Sequence, residues 1–145
     1  MKFDEMRMLH CLSVARKMKA EVDKSPQKFS ASSEDMFYLG LIHDAAYEFV
    51  DNQEDHEHKG GEILRSNGYK YWKEVYYHGS TDSEYDSAEL RLLNYADLTT
   101  GPDGKEMTID ERLSDIANRY GKNSSQYLNT KLLANKLNID YYEKS

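Results

Sequence analysis

The 145-residue sequence has a single cysteine, two prolines and no long apolar run, and these shortages exclude several classes of protein. One cysteine, Cys11, cannot form an internal disulfide framework or a cysteine-rich zinc site. We interpret Cys11 as a small buried hydrophobic residue. No stretch approaches the roughly 18 apolar residues that a membrane-spanning helix requires. We therefore expect a globular protein that does not enter the membrane.

Positive charge is also scarce. The sequence contains 19 Lys and Arg against 26 Asp and Glu, for a formal net charge of −7. Binding to a nucleic-acid polymer requires a basic surface, so we expect none. The N-terminal segment mixes charges of both signs among its apolar residues and lacks the apolar core of a signal peptide. A cytoplasmic location is the resulting prediction, and the oligomeric state stays open.

What the sequence does contain is apolar residues at helical spacing between turn signals, which predicts an all-α fold. The length suits one domain over residues 1–145, a compact bundle of about six to seven helices. The first predicted helix covers residues 4–22, and its inward candidates include Met8, Ala15 and Met18. Further helix ends are predicted by capping residues and glycines: Ser32 or Ser33, Gly68, Gly79, Thr108 with Glu111, and Gly121.

The segment LGLIHDAAYEF, residues 39–49, sets His43 and Asp44 in an apolar run that we expect to be helical. A buried ionised carboxylate costs several kcal/mol unless it is paired or bound to a metal. His10, near the inward side of the first helix, and Asp97, at the end of the apolar run LRLLNYAD, supply a further imidazole and carboxylate. Imidazole and carboxylate together suit iron, manganese, zinc and related divalent ions.

The order His10 … His43-Asp44 … Asp97 resembles the H … HD … D signature of the HD superfamily of metal-dependent phosphohydrolases. The resemblance covers residues 10–97. It implies an all-helical fold in which the HD pair lies on a core helix. No GYP-type sequence is present, so a cyclic-dinucleotide phosphodiesterase of that branch is not supported.

Two further elements resemble HD members with an extended ligand set. HEHKGGEIL is similar to their H-x-x-x-G-A-x-I-L element, in which His56 matches the ligand and His58 falls off the register. Gly61 stands where alanine is more usual. The Gly60-Gly61 pair in a helix suggests close approach by another element, because glycine weakens a helix relative to alanine. His78, followed by glycine, resembles the fourth histidine of the group.

The resemblance implies a metal-activated water that hydrolyses a phosphoester or phosphoanhydride, in a nucleotide or another small phosphorylated metabolite. It favours two divalent ions per chain, chosen among Fe, Mn, Zn, Mg, Ni and Co, with Asp44 as the bridging ligand. Lys59 or Arg112 would bind a substrate phosphate. His43 and Asp44 are the implied catalytic pair. The full implied ligand set is His10, His43, Asp44, His56, His78 and Asp97.

Three alternatives compete with the hydrolase. A di-iron oxygenase of the HD fold has similar ligands and would differ in its iron content and oxygen requirement. A nucleotide-binding module without turnover would be expected to have lost some of the ligands. A purely structural helical protein would bury Asp44 and Asp97 without an evident partner in the sequence.

Overall fold

The computed structural model describes residues 3–44 and 56–137. Within these ranges the predicted all-α fold is confirmed, and an isolated antiparallel bridge between Thr100 and Glu106 is the β-type pairing that they contain. No described helix is both long enough and apolar enough to cross a bilayer. The described residues form seven helices, with a short 3-10 turn, Pro26–Lys28, after the first: α1 (Phe3–Lys24), α2 (Ser33–Ile42), α3 (His56–Ser66), α4 (Trp72–Tyr77), α5 (Ala88–Leu98), α6 (Ile109–Tyr120) and α7 (Ser125–Leu137).

Side-chain caps lie at the starts of α2 and α6, as predicted. The Ser32 hydroxyl accepts a hydrogen bond from the backbone N–H of Asp35, whose carboxylate accepts one from the Ser32 N–H. Thr108 and Glu111 form the same reciprocal pair at the start of α6. Each pair satisfies two backbone donors that a helix otherwise leaves unbonded. Glycines with positive φ follow α3, α4 and α6, as expected for helix ends: Gly68 (74°), Gly79 (80°) and Gly121 (93°).

Helix α5 lies between two hydrophobic clusters. Leu92, Leu93 and Ala96 belong to the main cluster, and Leu98 belongs to the second. Because α5 packs on both sides, the position of Asp97 within it is well constrained. The main cluster also contains Val14, Met18, Val22, Ala31, Met36, Leu39, Tyr71 and Val75, and the second contains Ile109, Leu133, Ala134 and Leu137.

The structure corrects two details of the sequence prediction. Met8 is 71% exposed, although Ala15 and Met18 on the same predicted face are buried. Periodicity identifies a helix face, but not whether a neighbour covers it, and no described residue buries Met8. In addition, α2 ends at Ile42, so that the HD pair lies in the following turn. Residues 45–55, over which we expected the helix to continue to about residue 50, lie outside the described ranges.

Candidate metal centre

Five of the six predicted ligands come together from four parts of the chain. His10 lies in α1, His43 and Asp44 follow α2, His78 caps the end of α4, and Asp97 lies in α5. The candidate ligand atoms of His10, His43 and Asp44 are within 4.8 Å of one another, and so are those of His43, His78 and Asp97. The three histidines and Asp44 are buried, whereas the Asp97 side chain is 28% exposed.

In all three histidines, Nδ1 bonds to a backbone carbonyl oxygen. Nδ1 of His10 lies 2.9 Å from the carbonyl oxygen of Gly101. In His43 and His78, Nδ1 lies 2.6 Å from the carbonyl oxygen three residues earlier. A carbonyl oxygen only accepts hydrogen bonds, so Nδ1 is the donor in each ring. Nε2 of each ring therefore faces the carboxylates, as in metal-binding histidines whose other nitrogen is held by the protein.

Backbone geometry at the helix ends places two of these rings. His43 follows the last residue of α2, and His78 ends α4 with an extended ψ of 140°. In both positions the ring can turn back onto a carbonyl of the last helical turn, which has no partner within the helix. Gly79 then adopts a positive φ and donates its N–H to Oδ1 of Asn94, 2.8 Å away. This bond ties the segment that carries His78 to α5.

The carboxylates of Asp44 and Asp97 face the three Nε2 atoms. Oδ1 of Asp97 is 2.8 Å from Nε2 of His10 and 3.3 Å from Nε2 of His43. Asp44 presents Oδ2 to His43, at 3.4 Å, and Oδ1 to His78, at 3.7 Å. The two oxygens of Asp44 thus face different histidines, which is the arrangement expected of a ligand shared by two cations.

The electrostatics of the cluster favour positive charge at its centre. Burial alone would lower the pKa of His43, but the carboxylates of Asp44 and Asp97 outweigh it and raise that pKa to about 9. Burial alone would raise the pKa of Asp97, yet the hydrogen bonds and charges of His10 and His43 hold it well below its ordinary value. The carboxylates therefore stabilise a cation close to the imidazole nitrogens, whether a proton or a metal ion.

Arg7 also belongs to the site, although the sequence analysis did not identify it. Its Nη1 donates to Oδ2 of Asp44 at 2.9 Å. Arg7 precedes His10 by three positions on α1, a spacing that puts both on one helix face and that offered a signal in the sequence. A purely structural protein was expected to bury Asp44 and Asp97 without an evident partner. Both acids have partners in the structure, Arg7 for Asp44 and His10 for Asp97, so their burial no longer counts against a structural role.

The remaining predicted residues lie on α3 and α6. His56 begins α3, but its side chain lies outside the described part of the chain. The His58 ring stacks on the ring of Tyr76 with centroids 4.5 Å apart, in agreement with a packing role. Lys59 is exposed. Nη2 of Arg112 donates to the backbone oxygen of Asp97 at 3.2 Å. Phosphate binding by either cation stays a prediction.

The loop that follows α5 positions the Gly101 carbonyl on which His10 depends. That oxygen also accepts the N–H of Gly104, at 2.9 Å. Lys17 of α1 clamps the base of the loop, since its Nζ donates to the backbone oxygen and hydroxyl of Thr99 and to Glu106, at 2.7–2.9 Å. From the sequence this segment was predicted only as a turn, because its contacts to α1 are long-range.

Comparison with models of protein families, with curated proteins and with solved structures finds no match for this chain. The functional interpretation therefore depends on the geometry of the site: three imidazole nitrogens and two carboxylates that converge from four segments.

Proposed function

We propose that this protein is a metal-dependent phosphohydrolase of the HD type that acts on a nucleotide or another small phosphoester or phosphoanhydride. The observation that carries the proposal is the bonding pattern that His10, His43 and His78 share. Histidines with only structural roles have no reason to direct their Nε2 atoms toward one point. Here three Nδ1 atoms bond to backbone carbonyls, and the three Nε2 atoms meet the same two carboxylates.

The donor set fits divalent cations that accept nitrogen and oxygen ligands, such as manganese, iron and zinc. His10, His43, Asp44 and Asp97 would hold the first ion, and His78 with His56 the second, Asp44 being shared. The contacts of its two oxygens with different histidines support the two-ion form. When bound, the cations would lower the pKa of water and neutralise phosphoryl oxygens.

The protein's own residues would hold the ligands in place and bind the substrate. Gly101, through its carbonyl, orients His10, and the backbone oxygens three residues before His43 and His78 orient those rings. Arg112 uses one donor on the Asp97 backbone. A guanidinium has five N–H donors, so this one bond leaves donors for the proposed contact to a phosphate.

The test is metal analysis of the purified protein beside a screen of nucleotides and phosphate monoesters with added Mn²⁺ in the absence of oxygen. We expect bound metal, metal-dependent phosphate release and a lower melting temperature after chelation, because binding to the folded state stabilises it by mass action. Asp44→Asn should lose metal and activity. Asp110→Asn, at an exposed position of α6, is the matched control and should retain both.

Two results would contradict the hydrolase. Wild-type protein that takes up no divalent metal on reconstitution removes the basis of the proposal. Protein that binds iron, shows a mixed-valence EPR signal and oxidises a substrate only with oxygen is instead the di-iron oxygenase, whose ligands are similar.

A further inference from the structure

Arg7 forms a close ion pair with Asp44, one of the two carboxylates of the candidate metal centre. Its Nη1 is 2.9 Å from Oδ2 of Asp44, and the two side chains are 22% and 5% exposed. The same Oδ2 lies 3.4 Å from Nε2 of His43 and 4.0 Å from Nε2 of His10. This oxygen is therefore the one that Asp44 offers to a cation held by His10 and His43.

We propose that Arg7 sets the metal affinity of the site, because its guanidinium and a bound cation compete for Oδ2 of Asp44. The inference rests on the metal site of the proposed function, but not on phosphate hydrolysis. An arginine in a protein does not lose its proton, so it cannot relieve the repulsion by becoming neutral. A cation at this oxygen must share it with Arg7 or displace the guanidinium.

If Arg7 competes with the cation, removing Arg7 should lower the stability of the metal-free protein but raise its affinity for metal. Arg7 is the charged partner of a buried carboxylate, so its removal destabilises protein from which metal has been stripped. Removal also takes away a positive charge next to the cation, which strengthens metal binding. A residue that merely held Asp44 in position would change both quantities in the same direction, since a misplaced carboxylate binds metal less tightly.

The experiment compares wild type, Arg7→Gln and Arg7→Lys, with Mn²⁺ as the probe. Affinity is measured by competition with a fluorescent chelator, and melting is recorded in excess EDTA. Arg7→Gln should bind Mn²⁺ on the order of 10-fold more tightly and melt earlier in EDTA. Arg7→Lys keeps the charge on a side chain of shorter reach and should fall between the two in affinity. If Arg7→Gln does not fold without metal, Arg7→Lys is measured in its place.

Arg16→Gln is the matched control, because it makes the same charge change at an exposed position of α1. It should alter neither the affinity nor the melting temperature in EDTA. Weaker or unchanged Mn²⁺ binding in the Arg7 variants, with normal binding by wild type, overturns the competition and leaves the hydrolase proposal intact. Wild type that binds no Mn²⁺ overturns both.

Discussion

Gly40 of α2 lies so close to α1 that a β-carbon at this position would be 2.6 Å from Cα of Ala15. The two helices can meet at this distance because Gly40 has no side chain. The crossing lies one turn before His43 and brings the rings of His10 and His43 to a centroid distance of 5.5 Å. The backbone oxygen of the same glycine accepts the Nδ1 hydrogen of His43. One glycine thus helps to place two predicted ligands.

Gly40→Ala should destabilise the protein by about 1–3 kcal/mol and weaken metal binding, since α1 and α2 must separate. The measurement is urea unfolding with parallel metal titration. The clash is with backbone atoms of Ala15, so adding Ala15→Gly should not restore stability. Unchanged unfolding of Gly40→Ala would show that the helices are not packed this closely.

Gly104→Ala should lower both stability and metal affinity through the loop that orients His10. Gly104 has a φ of +87°, and a β-carbon would come within 2.6 Å of the Leu9 carbonyl oxygen. Gly121, with a φ of +93°, has no comparable neighbour among the described residues, so Gly121→Ala is a control for backbone strain alone. We expect the strain alone to lower the free energy of unfolding of Gly121→Ala by about 1 kcal/mol. Gly104→Ala should lose more stability and should also bind metal less tightly. Equal effects of the two variants on metal affinity would contradict the role of the loop.

Tyr85 should make stability depend on pH at the alkaline end. Its hydroxyl donates to the buried carboxylate of Glu74, which also accepts from Ser87. Burial, and then the hydrogen bond to Glu74, raise the pKa of Tyr85 to about 12. The neutral phenol therefore stabilises the fold fully below pH 10, the ordinary tyrosine pKa, and this contribution is lost as the pH rises towards 12.

Tyr85→Phe tests that linkage. The variant should be less stable than wild type by about 1.5–3 kcal/mol at pH 7, because it removes a hydrogen bond to a charged group. The difference should narrow above pH 10 in denaturant unfolding measured over a pH series. Tyr120→Phe, at a tyrosine that is 55% exposed, should follow wild type throughout. A difference that stays constant from pH 7 to pH 11 would contradict the assignment.

Local chemistry made most helix boundaries predictable. Ser32 and Thr108 cap their helices through contacts within four residues, and glycines at positive φ end others, so a short window of sequence contains the necessary information. Burial was less predictable. Met8 shares the apolar spacing of Met18, yet only Met18 is covered, because coverage depends on elements distant in sequence.

The candidate site, too, was predictable from the sequence only in part. The order of histidines and acids identified five residues that the fold brings together. The groups that orient them were not predictable, because backbone carbonyls such as that of Gly101 have no sequence signature. The spacing of Arg7 from His10 indicates a shared helix face, but the contact to Asp44, 37 positions away, forms only when α1 and α2 are packed.

The last prediction separates a one-metal site from a two-metal site and rests on His78. Its Nε2 is 3.7 Å from Oδ1 of Asp44, whereas His43 contacts Oδ2, so in the proposed two-metal site His78 would hold the second ion. Two ions in such sites lie roughly 3.5–4 Å apart and share a ligand. His78→Ala and His56→Ala should each reduce the metal content from about two ions per chain towards one, measured by elemental analysis after loading under reducing conditions.

His58→Ala should keep the wild-type content, because its ring stacks on Tyr76. Loss of metal in His58→Ala with full retention in His56→Ala would mean that the register through HEHKGGEIL is wrong and that α3 presents the other histidine to the site.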